Sequence, residues 1–426
     1  MASIPEQNNT QPSGLVVGSP VTGEDFFDRE TELNDFITFL TQGTHLLITA
    51  PRRTGKTSLL KEAARRLAEA RYCLYVDLQG CVSEAEAMVK IVEEARPFRD
   101  LKHLVTDVFK NVLGALTNRL EEIQVSELKL KLLEGVTPDW QAKGSELLQR
   151  LAQAEKPVVL LFDELPVLVN RLLKGTEGRL TPERRRQTHV FLSWLREATI
   201  RHQGRLAFVV CGSIGLEPLL HQAGISETVN TFMSFELPPW DREMARRFIF
   251  DRAERSGLLF QDGAENKLLD SLGLGIPHHV QMFMSFIHRD PQCRKSGRCA
   301  PPDVRRVYQE KMLSLHGHVE LRTYEDRLKV MLSQEQFEAA LELLTEAAVT
   351  GRLDFDTGTR IVRSHLGPHY EAARELRFLL GLFEHDGYLK KRGRSFRFES
   401  KLLRDWWKKH FSSGYRPMAK RSEGEN

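Results

Sequence analysis

The sequence predicts an α/β protein with a phosphate-loop (P-loop) parallel-sheet core, a helical lid domain after it and a C-terminal winged-helix domain. Three stretches predict the core. An apolar run around Leu46–Thr49 ends in Ala50-Pro51-Arg52-Arg53-Thr54-Gly55-Lys56-Thr57-Ser58 and opens into Leu-rich helical sequence, the order strand, phosphate-binding loop, helix. Val158–Phe162 is a continuous apolar run that delivers Asp163 and Glu164 at its C-terminal end. Such a run reads as a strand buried on both faces, and open α/β sheets bind ligands beyond the carboxyl ends of their strands. Leu206–Cys211 is a further buried strand, ending in Gly212 and Ser213.

Each loop residue type has a physical task. Gly55 lets the backbone curl so that successive N–H groups face phosphate oxygens. Lys56 brings a mobile point charge to the β- and γ-phosphates, and the Thr57 hydroxyl suits a Mg²⁺ ligand. The helix from Thr57 aims its positive end at the anion. Ala50 stands where the usual motif begins with Gly. Asp163 suits a Mg²⁺ ion held through water, and Glu164 can orient and deprotonate an attacking water. Ser213 would lie beside the γ-phosphate if its strand neighbours both the loop strand and the acidic strand. The alternative is that it caps a helix over Ile214–Leu220.

Composition bounds the rest. A chain of 426 residues should hold roughly two to three domains. Hydrophobic content of 41% with 28% charged residues fits a globular chain, and a net charge of +3 gives no global case for nucleic acid. Five scattered Cys fit a reducing compartment better than a disulfide scaffold, and Cys293 and Cys299 lack a second pair at zinc spacing. No apolar stretch is long enough to cross a bilayer, and the first residues lack a signal core. A cytoplasmic protein is expected.

In chain order, 1–23 reads as a disordered tail, 24–240 as the nucleotide core, 241–300 as the helical lid and 301–426 as a helical linker with the winged helix. Phe26–Leu33 is expected to open a first helix. Tyr72–Leu78 is a strand, residues 83–118 are helical with a break at Pro97, and about 119–140 looks like an insertion. Arg196, Arg201 and Arg205 are candidates for an arginine finger or plain surface charge. Thr231–Pro239 holds the last strand of the sheet, and Gly275-Ile276-Pro277 breaks into a lid helix. Three helices and a hairpin over Gly387–Phe398 suggest the winged helix. From Tyr388 to His410 there are nine Lys/Arg against two acids, with Phe396, Phe398, Trp406 and Trp407 interleaved. That is the strongest basic cluster, and Lys390, Lys391, Arg392, Arg394 and Arg397 could meet DNA phosphates. Trp406 and Trp407 could equally be core.

The ordered motifs have a family resemblance. Phe27-Asp28-Arg29-Glu30-x-Glu32-Leu33, Pro51-Arg52-Arg53-x-Gly55-Lys56-Thr57-Ser58-Leu59, Phe162-Asp163-Glu164, Gly212-Ser213-Ile214-Gly215-Leu216 and Gly275-Ile276-Pro277 resemble the prokaryotic archaeal-type ATPases. These are of the STAND branch of AAA+-like (ASCE) P-loop ATPases. The closing Phe396–Trp407 stretch is similar to the end of their winged helix. The resemblance implies ATP and Mg²⁺ as ligands. It also implies that Arg29 approaches the adenine side, and that Gly275 and Pro277 pack over the nucleotide from the lid. Asp28 departs from a position where the family often has Gly. The implied function is an ATP-driven switch acting on a separately encoded protein effector, with a possible nucleotide-dependent oligomer. The rivals are a DNA-binding AAA+ ATPase of the origin-recognition, loader or transposition-regulator type, and a nucleotide-binding scaffold without turnover.

Overall fold

The computed structural model describes residues 15, 17–113, 140–175, 180–367 and 371–421. The expected N-terminal tail and the expected insertion lie largely outside them. The chain forms two compact units. One holds residues 29–52 and 56–237; the other holds residues up to Asp28, the loop tip Arg53–Gly55, and everything from Pro238 onward.

The first unit is the α/β core. Its helices are α1 (Glu30–Thr41), α2 (Lys56–Leu67), α3 (Glu84–Ala95), α4 (Arg99–Leu113), α5 (Trp140–Ala152), α6 (Leu165–Lys174), α7 (Pro182–Arg201) and α8 (Leu216–Ala223). Its strands are β1 (Leu46–Thr49), β2 (Tyr72–Asp77), β3 (Val158–Asp163), β4 (Leu206–Val210) and β5 (Met233–Glu236). They form one sheet in the order β2-β3-β4-β1-β5, and every pairing is parallel. β3 and β4 are buried throughout, as their unbroken apolar runs require with helices on both faces. Each apolar side chain of Val158–Phe162 is worth roughly 1.5–3 kcal/mol over exposure. β5 is an edge, with only Phe235 buried. β4 lies between β1 and β3, so the segment after it emerges between the loop strand and the acidic strand.

His45, just before β1, is a core histidine that the motifs do not announce. Its Nδ1 accepts from the Phe208 N–H at 3.2 Å, and its Nε2 lies 3.0 Å from the Thr199 carbonyl. A ring that accepts at Nδ1 and faces a carbonyl with Nε2 is neutral and carries its proton on Nε2.

The second unit opens with the segment up to Asp28. Phe27 packs edge-on to Phe248 and Trp240, at 5.1 and 6.0 Å between ring centres. Phe26 and Phe27 therefore precede the first long helix, which begins only at Glu30. The helices here are α9 (Arg242–Arg255), α10 (Ala264–Leu272), α11 (Pro277–Arg289), α12 (Pro291–Ser296), α13 (Pro301–Val307), α14 (Leu315–Met331), α15 (Gln334–Thr350), α16 (Phe355–Leu366), α17 (Ala372–His385) and α18 (Lys401–Phe411). Asp241 caps α9 by accepting from the Met244 N–H at 2.7 Å. Two-residue strands β6 (Leu259–Phe260) and β7 (Arg298–Cys299) pair in parallel; neither is predicted by the sequence. Near the C-terminus β8 (Leu353–Asp354), β9 (Leu389–Arg392) and β10 (Ser395–Phe398) form an antiparallel sheet in the order β8-β10-β9. The three helices and hairpin are thus present, with β8 added. Trp406 and Trp407 are fully buried and Phe396 nearly so. Of the two readings of these tryptophans, core is the right one, and they offer no stacking surface to a nucleic acid.

Gly275 has a packing reason. Trp240 and Gly275 form an antiparallel bridge, with the Trp240 N–H donating to the Gly275 carbonyl at 2.9 Å. A Cβ at 275 would stand 2.3 Å from the Trp240 oxygen, so only glycine allows this approach.

Candidate functional site: the phosphate loop and the acidic strand

β1, α2, β3 and the segment after β4 bring together Lys56, Thr57, Asp163, Glu164 and Ser213. The Lys56 ammonium donates to the carbonyls of Ala50 and Pro51, at 3.0 and 2.9 Å. The charge is thereby held over its own loop. Ala50 is buried and is not among the residues with positive φ, so alanine fits this position without strain. Thr54 is buried and Ser58 half-buried. Asp28 does have positive φ, 38°, which explains why a glycine would suit it. Its carboxylate is compensated by an ion pair to Arg247.

Asp163 is the hub. Its Oδ2 accepts from the Thr57 hydroxyl at 2.8 Å and from the Tyr75 phenol at 2.7 Å. Its Oδ1 accepts from the Glu164 N–H at 3.1 Å and from the Cys211 thiol at 3.0 Å. Tyr75 and Cys211 were not foreseen as site residues. Burial first, and the Asp163 charge second, push both the phenol and the thiol well up, so both stay protonated donors. The alternation of β2 could have placed Tyr75 on one face, but nothing local says that the face meets Asp163. A hydroxyl and a carboxylate oxygen converging on one spot fit Mg²⁺, which takes few protein oxygens and keeps most of its waters.

Glu164 follows Asp163 with left-handed backbone, φ 60° and ψ 26°. A non-glycine residue held there is strained, a feature that clusters at functional sites. Its Oε2 accepts from both the backbone N–H and the hydroxyl of Ser213, at 2.9 and 2.7 Å. Gly212 makes room for this. A Cβ there would lie 2.7 Å from Pro166 Cδ and 3.3 Å from Glu164 Oε2. Ser213 is not a helix cap: the cap position of α8 is Gly215, and the helix starts at Leu216.

The remaining expected residues are placed as follows. Arg29 is buried, with its guanidinium 3.1 Å from Glu32. Pro277 is the first residue of α11 and is buried in the second unit. Arg205 donates to the carbonyls of Ala152 and Ala154, a structural role. Arg196 donates to Asn230 and Arg201 pairs with Glu197 on its own helix. In the basic cluster Lys390 and Arg392 pair with Glu399, at 3.7 and 2.5 Å. Lys391, Arg394 and Arg397 are exposed. Among the described residues no group of His, Cys, Asp and Glu could hold a metal by itself, and no helix is long and apolar enough to cross a membrane.

Residues 26–221 match the model of an ATPase domain found predominantly in Archaea. Among solved structures, the Walker-type ATPase of Pyrococcus abyssi is similar, with 16% identity and a TM-score of 0.54 over 92% of this chain and 99% of that one. The ORC2 protein of Aeropyrum pernix, in ADPNP–ADP complexes, is also similar, with 14% identity and a TM-score of 0.51 over 89% of this chain and 91% of that one. No functionally curated protein matches the chain in sequence. Fold and site together define the core of a P-loop ATPase. Over residues 26–221 that core is similar to the ATPase domain found predominantly in Archaea.

Proposed function

We propose that the protein is an ATP-hydrolysing switch of the STAND type, in which nucleotide state is read by Ser213 and passed to a separate protein effector. The supporting observation is the hydrogen bond from the Ser213 hydroxyl to Glu164. A serine hydroxyl has one proton to donate. Spent on Glu164, it holds that carboxylate to one side. Spent on a γ-phosphate oxygen, it leaves Glu164 with the Ser213 N–H alone and free to turn toward water as general base. One hydroxyl thus links detection of the third phosphate to release of the base.

Lys56 and the loop N–H groups bind the phosphates, with Arg52, Arg53, Thr54, Gly55 and Ser58 completing the cradle. Arg29 serves the adenine side. Thr57 and Asp163 would hold Mg²⁺, which when bound neutralises charge on the transferring phosphoryl group. The five free thiols suit a reducing cytoplasm. Steady-state binding and phosphate release test the reading. Wild type should bind ATP and release phosphate, and Lys56→Ala should bind neither ATP nor ADP. Retained affinity in Lys56→Ala overturns the loop assignment.

A second reading has its own observation. Lys391, Arg394 and Arg397 project cations from the β9–β10 hairpin with no carboxylate on their side chains among the described residues. A winged helix could set them on duplex phosphates. Duplex affinity that falls with salt and is lost on neutralising Lys390, Lys391, Arg392 and Arg394 would support it; unchanged binding would remove it.

A further inference from the structure

Arg53, at the tip of the loop, has left-handed backbone with φ 64°. Glycine would take that conformation freely, and arginine is strained there. Its side chain is held within the second unit. Nη1 lies 2.5 Å from Glu320 Oε2 on α14 and against His278 Nε2 on α11. Nη2 is 3.5 Å from the Thr323 hydroxyl, one turn further along α14. The His278 N–H also points at the Arg53 carbonyl, at 3.4 Å. Burial lowers the pKa of His278, and its Nε2 also lies 3.4 Å from Glu320 Oε2, so the ring sits beside both the guanidinium and the carboxylate. The pair is not a loose surface contact: Arg53 is 19% and Glu320 32% exposed.

α14 is wired onward. The carbonyl of Tyr324, next to Thr323, accepts from the Tyr388 phenol at 2.6 Å. Tyr388 stands edge-on to Trp407, whose indole N–H donates to Thr345 at 3.2 Å. A change at Glu320 is therefore adjacent to the framework of the C-terminal helices and hairpin.

We infer that Glu320 is an internal stand-in for phosphate: it holds Arg53 until a γ-phosphate arrives, and then yields it, which loosens α14. A planar guanidinium accepts a carboxylate or a phosphate in the same fork geometry, so the two anions compete for it. Whatever free energy Glu320 contributes by holding Arg53 opposes triphosphate binding by the same amount, and the triphosphate in turn weakens the hold on α14. The inference rests on the loop binding a triphosphate.

Glu320→Gln in the full chain keeps the side-chain shape and removes the charge. It should bind a fluorescent, non-hydrolysable ATP analogue about tenfold more tightly than wild type, a size usual for coupled sites. Without nucleotide, its amides over 315–331 should exchange hydrogen at the rate that wild type reaches only with the analogue. Unchanged affinity and unchanged exchange, with wild type binding normally, overturn this inference alone. A wild type that does not bind the analogue overturns the loop reading as well. A second variant separates a lost latch from a damaged fold. Arg53→Glu combined with Glu320→Arg restores the pair, so α14 should be protected again yet no longer respond to the analogue. An unprotected α14 in the swap, or a wild-type response to the analogue, counts against the latch.

Discussion

Ser213→Ala deletes one hydrogen bond and little else. The Ser213 hydroxyl lies 2.7 Å from Glu164 Oε2, and the Ser213 N–H, at 2.9 Å, survives the substitution. Hydrogen bonds to charged groups contribute about 1.5–3 kcal/mol. If this proton moves from Glu164 to the γ-phosphate, its loss weakens ATP but not ADP. The preference for ATP over ADP should then fall by up to about tenfold: the substitution also removes the Glu164 bond from the ADP state, so only the excess of the γ-phosphate bond counts, at most about 1.5 kcal/mol, and 1.4 kcal/mol is a factor of ten. Basal hydrolysis should persist, because Glu164 is released in every state. Ser213→Thr keeps a hydroxyl and should restore the preference. Competition of ATP and ADP against a fluorescent nucleotide measures the ratio directly. A wild-type ratio in Ser213→Ala, or a Thr variant as impaired as the Ala variant, refutes the hydroxyl as the reader of the third phosphate.

Other outcomes follow from the same geometry. Gly275→Ala places a Cβ 2.3 Å from the Trp240 carbonyl; overpacking of this kind costs about 1–3 kcal/mol. Urea unfolding followed by tryptophan fluorescence should show a lower midpoint, and an unchanged midpoint would contradict the close approach. His45 is held neutral, and burial lowers its pKa despite the bond to Thr199. Its contribution to stability is complete above the unfolded value of about 6.5 and declines as pH falls from there toward the lower folded value. The unfolding midpoint should therefore drop on acidification below neutrality, less so in His45→Gln; parallel pH profiles would count against this assignment. Tyr75→Phe removes a donor to Asp163, so the Mg²⁺ concentration needed for half-maximal phosphate release should shift, with ATP affinity measured without metal unchanged. An unshifted requirement would leave Tyr75 with no part in the site.

The core was legible because its signals are local. An unbroken apolar run such as Val158–Phe162 has no option but a doubly covered strand, and the loop, acid and serine motifs follow such runs directly. The candidate site's Thr57, Asp163, Glu164 and Ser213 were singled out by the same local signals, and the structure brings them together. Tyr75 and Cys211 were not, because their role depends on the register of β2 and β4 against β3. Phe26 and Phe27 look like helix-opening residues, but a distant partner set, Trp240 and Phe248, takes Phe27. β6, β7 and β8 have two residues each, too short for alternation to register. The tryptophans at 406 and 407 sit in a basic run whose charge suggests a surface, yet the helix turns both rings inward. Arg53 pairs with a carboxylate that no local pattern connects to it.

The central claim, that Glu164 works as the base of an ATP-driven switch, is tested most directly by a single-turnover experiment. Wild type and Glu164→Gln are each loaded with ATP and Mg²⁺, freed of unbound nucleotide, incubated and quenched, and the bound nucleotide is identified. The account predicts ADP on wild type and ATP still on Glu164→Gln. ATP remaining on wild type, or equal conversion by the two proteins, would contradict it.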